Sequence, residues 1–166
     1  VSEGFSVNPV SETTVQAAAV AAQNEILNDL ASIGAALGNS TIAAAASDPS
    51  KVVTATIRTV VDIDPTTATK NAANNYVVTL TSAYVGNGAI VVLHYNGTSW
   101  DTIIPTSVEN GAVTFETPTL SPVAIVELTV SGAATSPKTG ETVPAAMMVV
   151  LLGLAGAAVC TKKIFA

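Results

Sequence analysis

The sequence predicts an α+β protein: an N-terminal amphipathic helix packed on an antiparallel β-sandwich or rolled sheet, followed by a C-terminal transmembrane helix. Three observations predict it. Apolar residues recur every three or four positions from Val15 to Leu37 and mostly every second position from Val52 to Ile63, which are the periods of a helix face and of a half-buried strand. Two Asn-Gly pairs, Asn96-Gly97 and Asn110-Gly111, stand between strand-like runs, and Asn-Gly supplies the two positive φ angles of a type I′ hairpin turn. The 18 residues from Val143 to Cys160 carry no charge, and a helix of that length, roughly 27 Å, nearly matches the hydrocarbon core of a bilayer.

Thr13 with Gln16 has the spacing of a capping box, so one helix is expected to start there. Its inward face is Val15, Ala19, Ala22, Ile26, Leu30, Ile33 and Leu37, with Gln23, Asn24, Asn28 and Asp29 on the other side. Gly38-Asn39 supplies the left-handed closing residue. The alanine-rich face lets the helix lie close against a sheet. Thr41–Ser47 has room for one more helical turn, and Ser47-Asp48-Pro49-Ser50 reads as a loop. In the strand Val52–Ile63, the residues Val53, Ala55, Ile57, Val61 and Ile63 share one face, and Thr54, Thr56, Arg58 and Asp62 the other. A polar loop from Asp64 to Asn75 leads to strands Tyr76–Thr81 and Ala89–Tyr95. The two Asn-Gly hairpins follow, and Val123–Val130 is the last strand, with Pro118 and Pro122 marking the turn before it. The expected division is a helical region over 1–50, a β module over 51–130, a linker with a motif over 131–139, and a span with a basic tail over 140–166.

Composition narrows the functional classes. The 166 residues hold 12 Asp and Glu against 6 Lys and Arg, a net charge of -6, and nucleic-acid binding needs clustered basic side chains instead. Cys160 is the single cysteine, which excludes an internal disulfide framework and a multi-cysteine metal site. Mean hydropathy is high, +0.52, and the apolar excess is concentrated after Gly140. Val1-Ser2-Glu3-Gly4-Phe5 has neither the basic nor the apolar region of a signal peptide. Nor does the chain open with methionine, and the expectation is a processed chain or the C-terminal piece of a longer one.

Ahead of the apolar span stands Ser136-Pro137-Lys138-Thr139-Gly140, and behind it Lys162-Lys163. That order resembles the LPxTG-like C-terminal sorting signal of sortase-anchored cell-wall surface proteins of Gram-positive, clostridial-type bacteria. The resemblance covers the last thirty or so residues. It implies an exported protein that a membrane-bound sortase cleaves between Thr139 and Gly140. The enzyme's cysteine holds Thr139 as a thioester, and an amine of the peptidoglycan precursor captures it as an amide. Localisation would be the cell wall, reached through a membrane-embedded precursor that Lys162 and Lys163 stall at the cytoplasmic face. Pro137 fixes its own φ and keeps Ser136 extended, which lowers the entropic cost of entering a groove. Ser136 replaces the family's usual leucine, a departure that bears on which sortase acts. The run Val91–Thr98 and the run Leu120–Val126 are also similar to a small β module that precedes sorting signals in clostridial surface proteins.

Chemistry in the body has few candidates. His94 is the lone histidine and shares a strand face with Ile90 and Val92, the position of a structural histidine; spacing joins no serine or carboxylate to it, and one histidine is too few for a zinc site. Asp62 and Asp64 place two carboxylates on one strand face, short of a calcium loop. Trp100, Tyr95 and Tyr84 are candidates for an aromatic platform for sugars, set against a place in the core. Asn96-Gly97-Thr98 and Asn39-Ser40-Thr41 match the glycosylation sequon, but turn and cap roles explain them. Ahead of the sorting motif the basic residues are Lys51, Arg58 and Lys70; the last strand offers Glu127 and no asparagine, which disfavours an isopeptide-stabilised pilin. The expectation is a non-enzymatic structural or adhesion module needing no cofactor. A carbohydrate- or matrix-binding module and an uncleaved single-span membrane protein are the alternatives.

Overall fold

Two runs, Ala89-Ile90-Val91-Val92-Leu93 and Val123-Ala124-Ile125-Val126, are apolar at every position, so strands built from them need cover on both faces. The computed structural model describes residues 1–81 and 88–132. Within these, β1 is Phe5–Pro9, α1 Thr13–Ile26, α2 Leu30–Ala36, α3 Ser40–Ala45, β2 Lys51–Pro65, β3 Tyr76–Leu80, β4 Ala89–Tyr95, β5 Trp100–Ile103, β6 Ser107–Glu109, β7 Ala112–Thr117 and β8 Val123–Gly132. The fold is α+β, and every pairing among these strands is antiparallel. One sheet has the order β1-β2-β8-β4-β5 and the other β3-β7-β6.

The five-stranded sheet is the middle layer. Val91, Leu93, Ala124, Val126 and Leu128 pack with Ala19, Ala22, Ile26, Ile33 and Ile42 of the helices. The alternate residues Ile90, Val92, Val123 and Ile125 pack with Val78, Leu80, Val113 and Phe115 of the three-stranded sheet. Removing a side chain such as Phe115 or Leu80 wholly from water contributes about 1.5–3 kcal/mol, and both are 0% exposed.

The single long helix of the sequence reading is in fact two. The anticipated apolar face is buried at Val15, Ala19, Ala22, Ile26 and Ile33, but the helix breaks at Leu27–Asp29. There the amides of Leu27, Asn28 and Asp29 turn back to the carbonyls three residues earlier. Asn28 and Asp29 are poor helix formers that compete for backbone hydrogen bonds, and the break separates α1 from α2, which packs against α3 across the turn at Gly38-Asn39. The capping box does not form: Glu12 occupies the N-cap without a side-chain bond, and Gln16 donates Nε2–H to the Val10 carbonyl at 2.6 Å. The closing signal does hold. Gly38 has φ +64, its amide reaches Ala35 O at 3.0 Å, and that of Asn39 reaches Gly34 O at 2.8 Å, the paired bonds of a Schellman motif. Asn39 then caps α3, accepting from Ile42 N at 3.1 Å.

Strand β2 departs from simple alternation. Arg58 is an extra residue in a bulge, since Ile57 pairs with Val126 and Thr59 with the adjacent Ile125. Val53, Ala55 and Ile57 therefore face the helices, whereas Val61 and Ile63 face the second sheet. They do not share one face, because a one-residue insertion inverts every side chain beyond it. Of the two Asn-Gly hairpins, Asn110 (φ 52) and Gly111 (φ 73) make the two-residue turn between Glu109 and Ala112. Asn96-Gly97 does not. Tyr95 pairs with Trp100 across a four-residue loop, in which Asn96 Oδ1 accepts from Thr98 N at 3.0 Å and Ser99 N at 2.9 Å.

No periodicity in the sequence marks strand β1, which pairs along β2 from Phe5↔Pro65 to Pro9↔Val61. Just before it, Ser2 bonds Thr79 of β3, so the N-terminal segment ties the two sheets together. The described residues belong to one compact unit.

Candidate functional site

The sorting motif Ser136–Gly140, the span Val143–Cys160, Lys162, Lys163 and Tyr84 all lie outside the described residues. Among the described residues, no helix is long and apolar enough to cross a membrane. The remaining candidates can be placed.

His94 ends up where its strand neighbours imply, on the face of β4 shared with Ile90 and Val92, and it is 4% exposed. The loop from Thr117 to Val123 brings Ser121 to it: Ser121 Oγ lies 2.7 Å from His94 Nε2, and Thr119 Oγ1 at 3.4 Å. The sequence offered no spacing that joins this serine to this histidine, since the contact spans 27 residues. Ser121 spends its one hydroxyl hydrogen on the Tyr95 carbonyl. Its oxygen must then accept from Nε2–H, so the imidazole is the donor. A serine activated for attack needs the reverse arrangement, with the ring accepting the hydroxyl proton. Burial pushes the His94 pKa below its ordinary value, opposed by a hydrogen bond with the Thr119 backbone and by Asp101. The neutral ring is pinned between β4 and the loop that precedes β8.

Asp62 and Asp64 share the face of β2 beside β1. Asn8 stands opposite Asp62 and donates Nδ2–H to Asp64 Oδ2 at 3.4 Å. The Asp62 pKa is raised, first by desolvation, then by the charges of Asp64 and Glu12. Among the described residues no group of three metal-ligating side chains forms here or elsewhere.

Trp100 and Tyr95 do come together. They face each other across the β4–β5 pair with ring centroids 5.3 Å apart, tilted by 44°. Tyr95 Oη donates to Gly97 O at 3.0 Å. The Trp100 Nε1–H is buried without a partner, and the ring packs at the edge of the helix-side core. Trp100 also walls a cleft beside α1, lined at its rim by Glu25 and Asp29. No sequence motif marked that cleft.

Glu127 lies in β8 and is 9% exposed. Its Oε2 is 3.4 Å from Arg58 Nη1 at the bulge, and its Oε1 accepts the Gly88 amide at 2.6 Å. Among the described residues this is its one ion pair. Lys70 instead sits over the Tyr76 ring, 5.2 Å from its centroid. The buried acid is thus a strut between β2, β8 and the start of β4. Comparison of the chain with protein-family models, with curated proteins and with solved structures found no match.

Proposed function

We propose that this chain is an exported surface protein that a sortase joins covalently to peptidoglycan through Thr139, and that its α+β body is a structural spacer. The observation that carries the reading is the order of three C-terminal parts: Ser136-Pro137-Lys138-Thr139-Gly140, the uncharged run Val143–Cys160, and Lys162-Lys163. The apolar run and the lysines hold the precursor in the membrane. Gly140 leaves the scissile carbonyl of Thr139 open to a thiolate. The partners on this reading are the sortase, the peptidoglycan amine and, before cleavage, the bilayer.

The topology of the body supports a spacer. Strands β1 and β8 flank β2 and both run antiparallel to it, so they run parallel to each other. Phe5 is level with Pro65 at one end of β2 and Gly132 with Lys51 at the other. At about 3.3 Å per residue, the fifteen residues of β2 separate chain entry from chain exit by roughly 45 Å. A module that takes the chain in at one end and releases it at the other adds its length to a stalk. The cluster at His94 is read as structural, because its serine donates away from the ring.

The test is mass spectrometry of C-terminal peptides from muramidase-digested walls of the source cell. A peptide ending at Thr139 and carrying a peptidoglycan fragment is the expected result, abolished by Thr139→Ala. An intact Ala166 terminus recovered only from membranes would overturn the reading in favour of an uncleaved single-span protein.

A further inference from the structure

Between Thr13 and Ser47 the helical segment carries only two charged side chains, Glu25 and Asp29, and both line one cleft of about 130 Å3. The floor of the cleft is Ile26, Ile33 and Leu93, 2%, 7% and 1% exposed. One wall is Trp100, the single tryptophan of the chain. Glu25 comes from the last turn of α1. Asp29 stands at the N-cap position of α2 with φ -126 and ψ 32, and its side chain makes no capping bond. A carboxylate at that position ordinarily accepts an amide of the first turn. Among the described residues, no side chain or amide donates to the Glu25 or Asp29 carboxylate, and no basic residue lines the cleft. Two uncommitted negative charges thus stand over an apolar floor, next to an aromatic ring.

We propose that this cleft binds a lysine side chain presented by a peptide. The complementarity is one of charge and apolar contact together. An apolar floor takes an alkyl stem, which lysine buries readily while its charged end stays at the rim. The compact ammonium is a point charge with three donors, suited to two carboxylates supplied by different turns. An indole wall adds attraction for a cation lying over it. The chain's net charge of -6 favours the approach of a basic peptide. This inference does not depend on wall anchoring, since the cleft is formed entirely within the body.

The single tryptophan is its own reporter. The full chain, held in a neutral detergent, is titrated with Nα-acetyl-lysine methylamide while Trp100 emission is followed. The neutral isostere Nα-acetyl-norleucine methylamide serves as the control. A saturable change with the lysine compound and none with the norleucine compound is expected. The double variant Glu25→Gln/Asp29→Asn should bind more weakly, by about three- to fivefold per carboxylate as for exposed ion pairs, with an unchanged circular dichroism spectrum and melting temperature. Equal binding of the norleucine compound, undiminished binding by the double variant, or no saturable change would each overturn the proposal.

Discussion

Replacing Gly34 by alanine sets two effects of opposite sign against each other. Gly34 lies inside α2, where exchanging glycine for alanine favours the helix by about 1 kcal/mol. A Cβ built there, however, would stand 2.4 Å from Ala43 N and 2.8 Å from Ala43 Cα. Those are backbone atoms of α3 and cannot swing aside. Restoring ordinary contact requires the two helices to part by about 1 Å, and a gap of that size forfeits a quarter to a half of each dispersion contact across it. Ile33 and Ile42, 7% and 2% exposed, lie along the seam. Overpacking of this kind costs about 1–3 kcal/mol or more, which outweighs the helix gain where the contact is backbone. The expected net effect is a loss of about 1–2 kcal/mol, seen as a fall in melting temperature of roughly 3–8 °C for a body of this size. Thermal denaturation followed by circular dichroism measures it. Gly38→Ala is the companion variant: its Cβ meets nothing within 4 Å, but its φ is +64. It should lose about 1 kcal/mol through backbone strain alone. A rise in melting temperature for Gly34→Ala would refute the reasoning, because helix propensity would then have outweighed the α2–α3 contact.

Two further outcomes follow from the structure. The His94 pKa is lowered in the fold, so the unfolded chain binds the proton more readily; stability is full above about pH 6.5 and falls as the pH drops below it. His94→Gln should remove that slope in melting temperature against pH, while Asp62, whose pKa is raised, acts with the opposite sign and only in the carboxylate range. Deleting Arg58 should cost about 1–2 kcal/mol, because it removes the ion-pair partner of the buried Glu127 but leaves that carboxylate its bond to the Gly88 amide, and the flanking residues already alternate correctly across the bulge. Deleting Thr56 should cost several times more, since it turns Val53 and Ala55 away from the helices; equal melting temperatures for the two deletions would contradict the assigned faces.

What the sequence revealed of this fold depended on how far each cause lay along the chain. The helix face, the closing Gly38 and the Asn110-Gly111 turn are local effects, set by residues within one turn of each other, and they were legible. The bulge was hidden because Val60 and Val61 are both apolar and both faces of β2 are covered, so the switch of face left no polar residue out of place. Asn96 carries the same dipeptide as Asn110, yet its side chain bonds Ser99 Oγ and Asp101 Oδ2 at 2.9 and 3.0 Å. Those partners lie downstream and stabilise a longer loop. Strand β1 is short, contains Asn8 and ends at Pro9, so its own composition argues against a strand; its pairing with β2 overrides that. The Ser121–His94 contact and the cleft at Trp100 are both made by segments far apart in sequence, and no spacing rule reaches them.

The position of β8 bears on how an anchored body would carry load. This strand precedes Thr139 in the chain, and among the described residues it is paired on both sides. It has ten register pairs with β2 and six with β4, and its residues from Val123 to Leu128 are all buried. A pull applied beyond Gly132 runs along β8 and antiparallel to both neighbours, so the flanking ladders are strained in shear, many hydrogen bonds at once. Had the last strand been an edge strand such as β5, with four register pairs to one neighbour, the same pull would meet a single short ladder. Extraction of β8 would also drag Glu127 away from Arg58 and the Gly88 amide, leaving a buried carboxylate without partners, which is costly in itself. If Thr139 is the point of attachment, the strand that precedes it is therefore held by two ladders, ten register pairs on one side and six on the other. The earlier yielding point is the opposite end, where β1 holds to β2 through five register pairs.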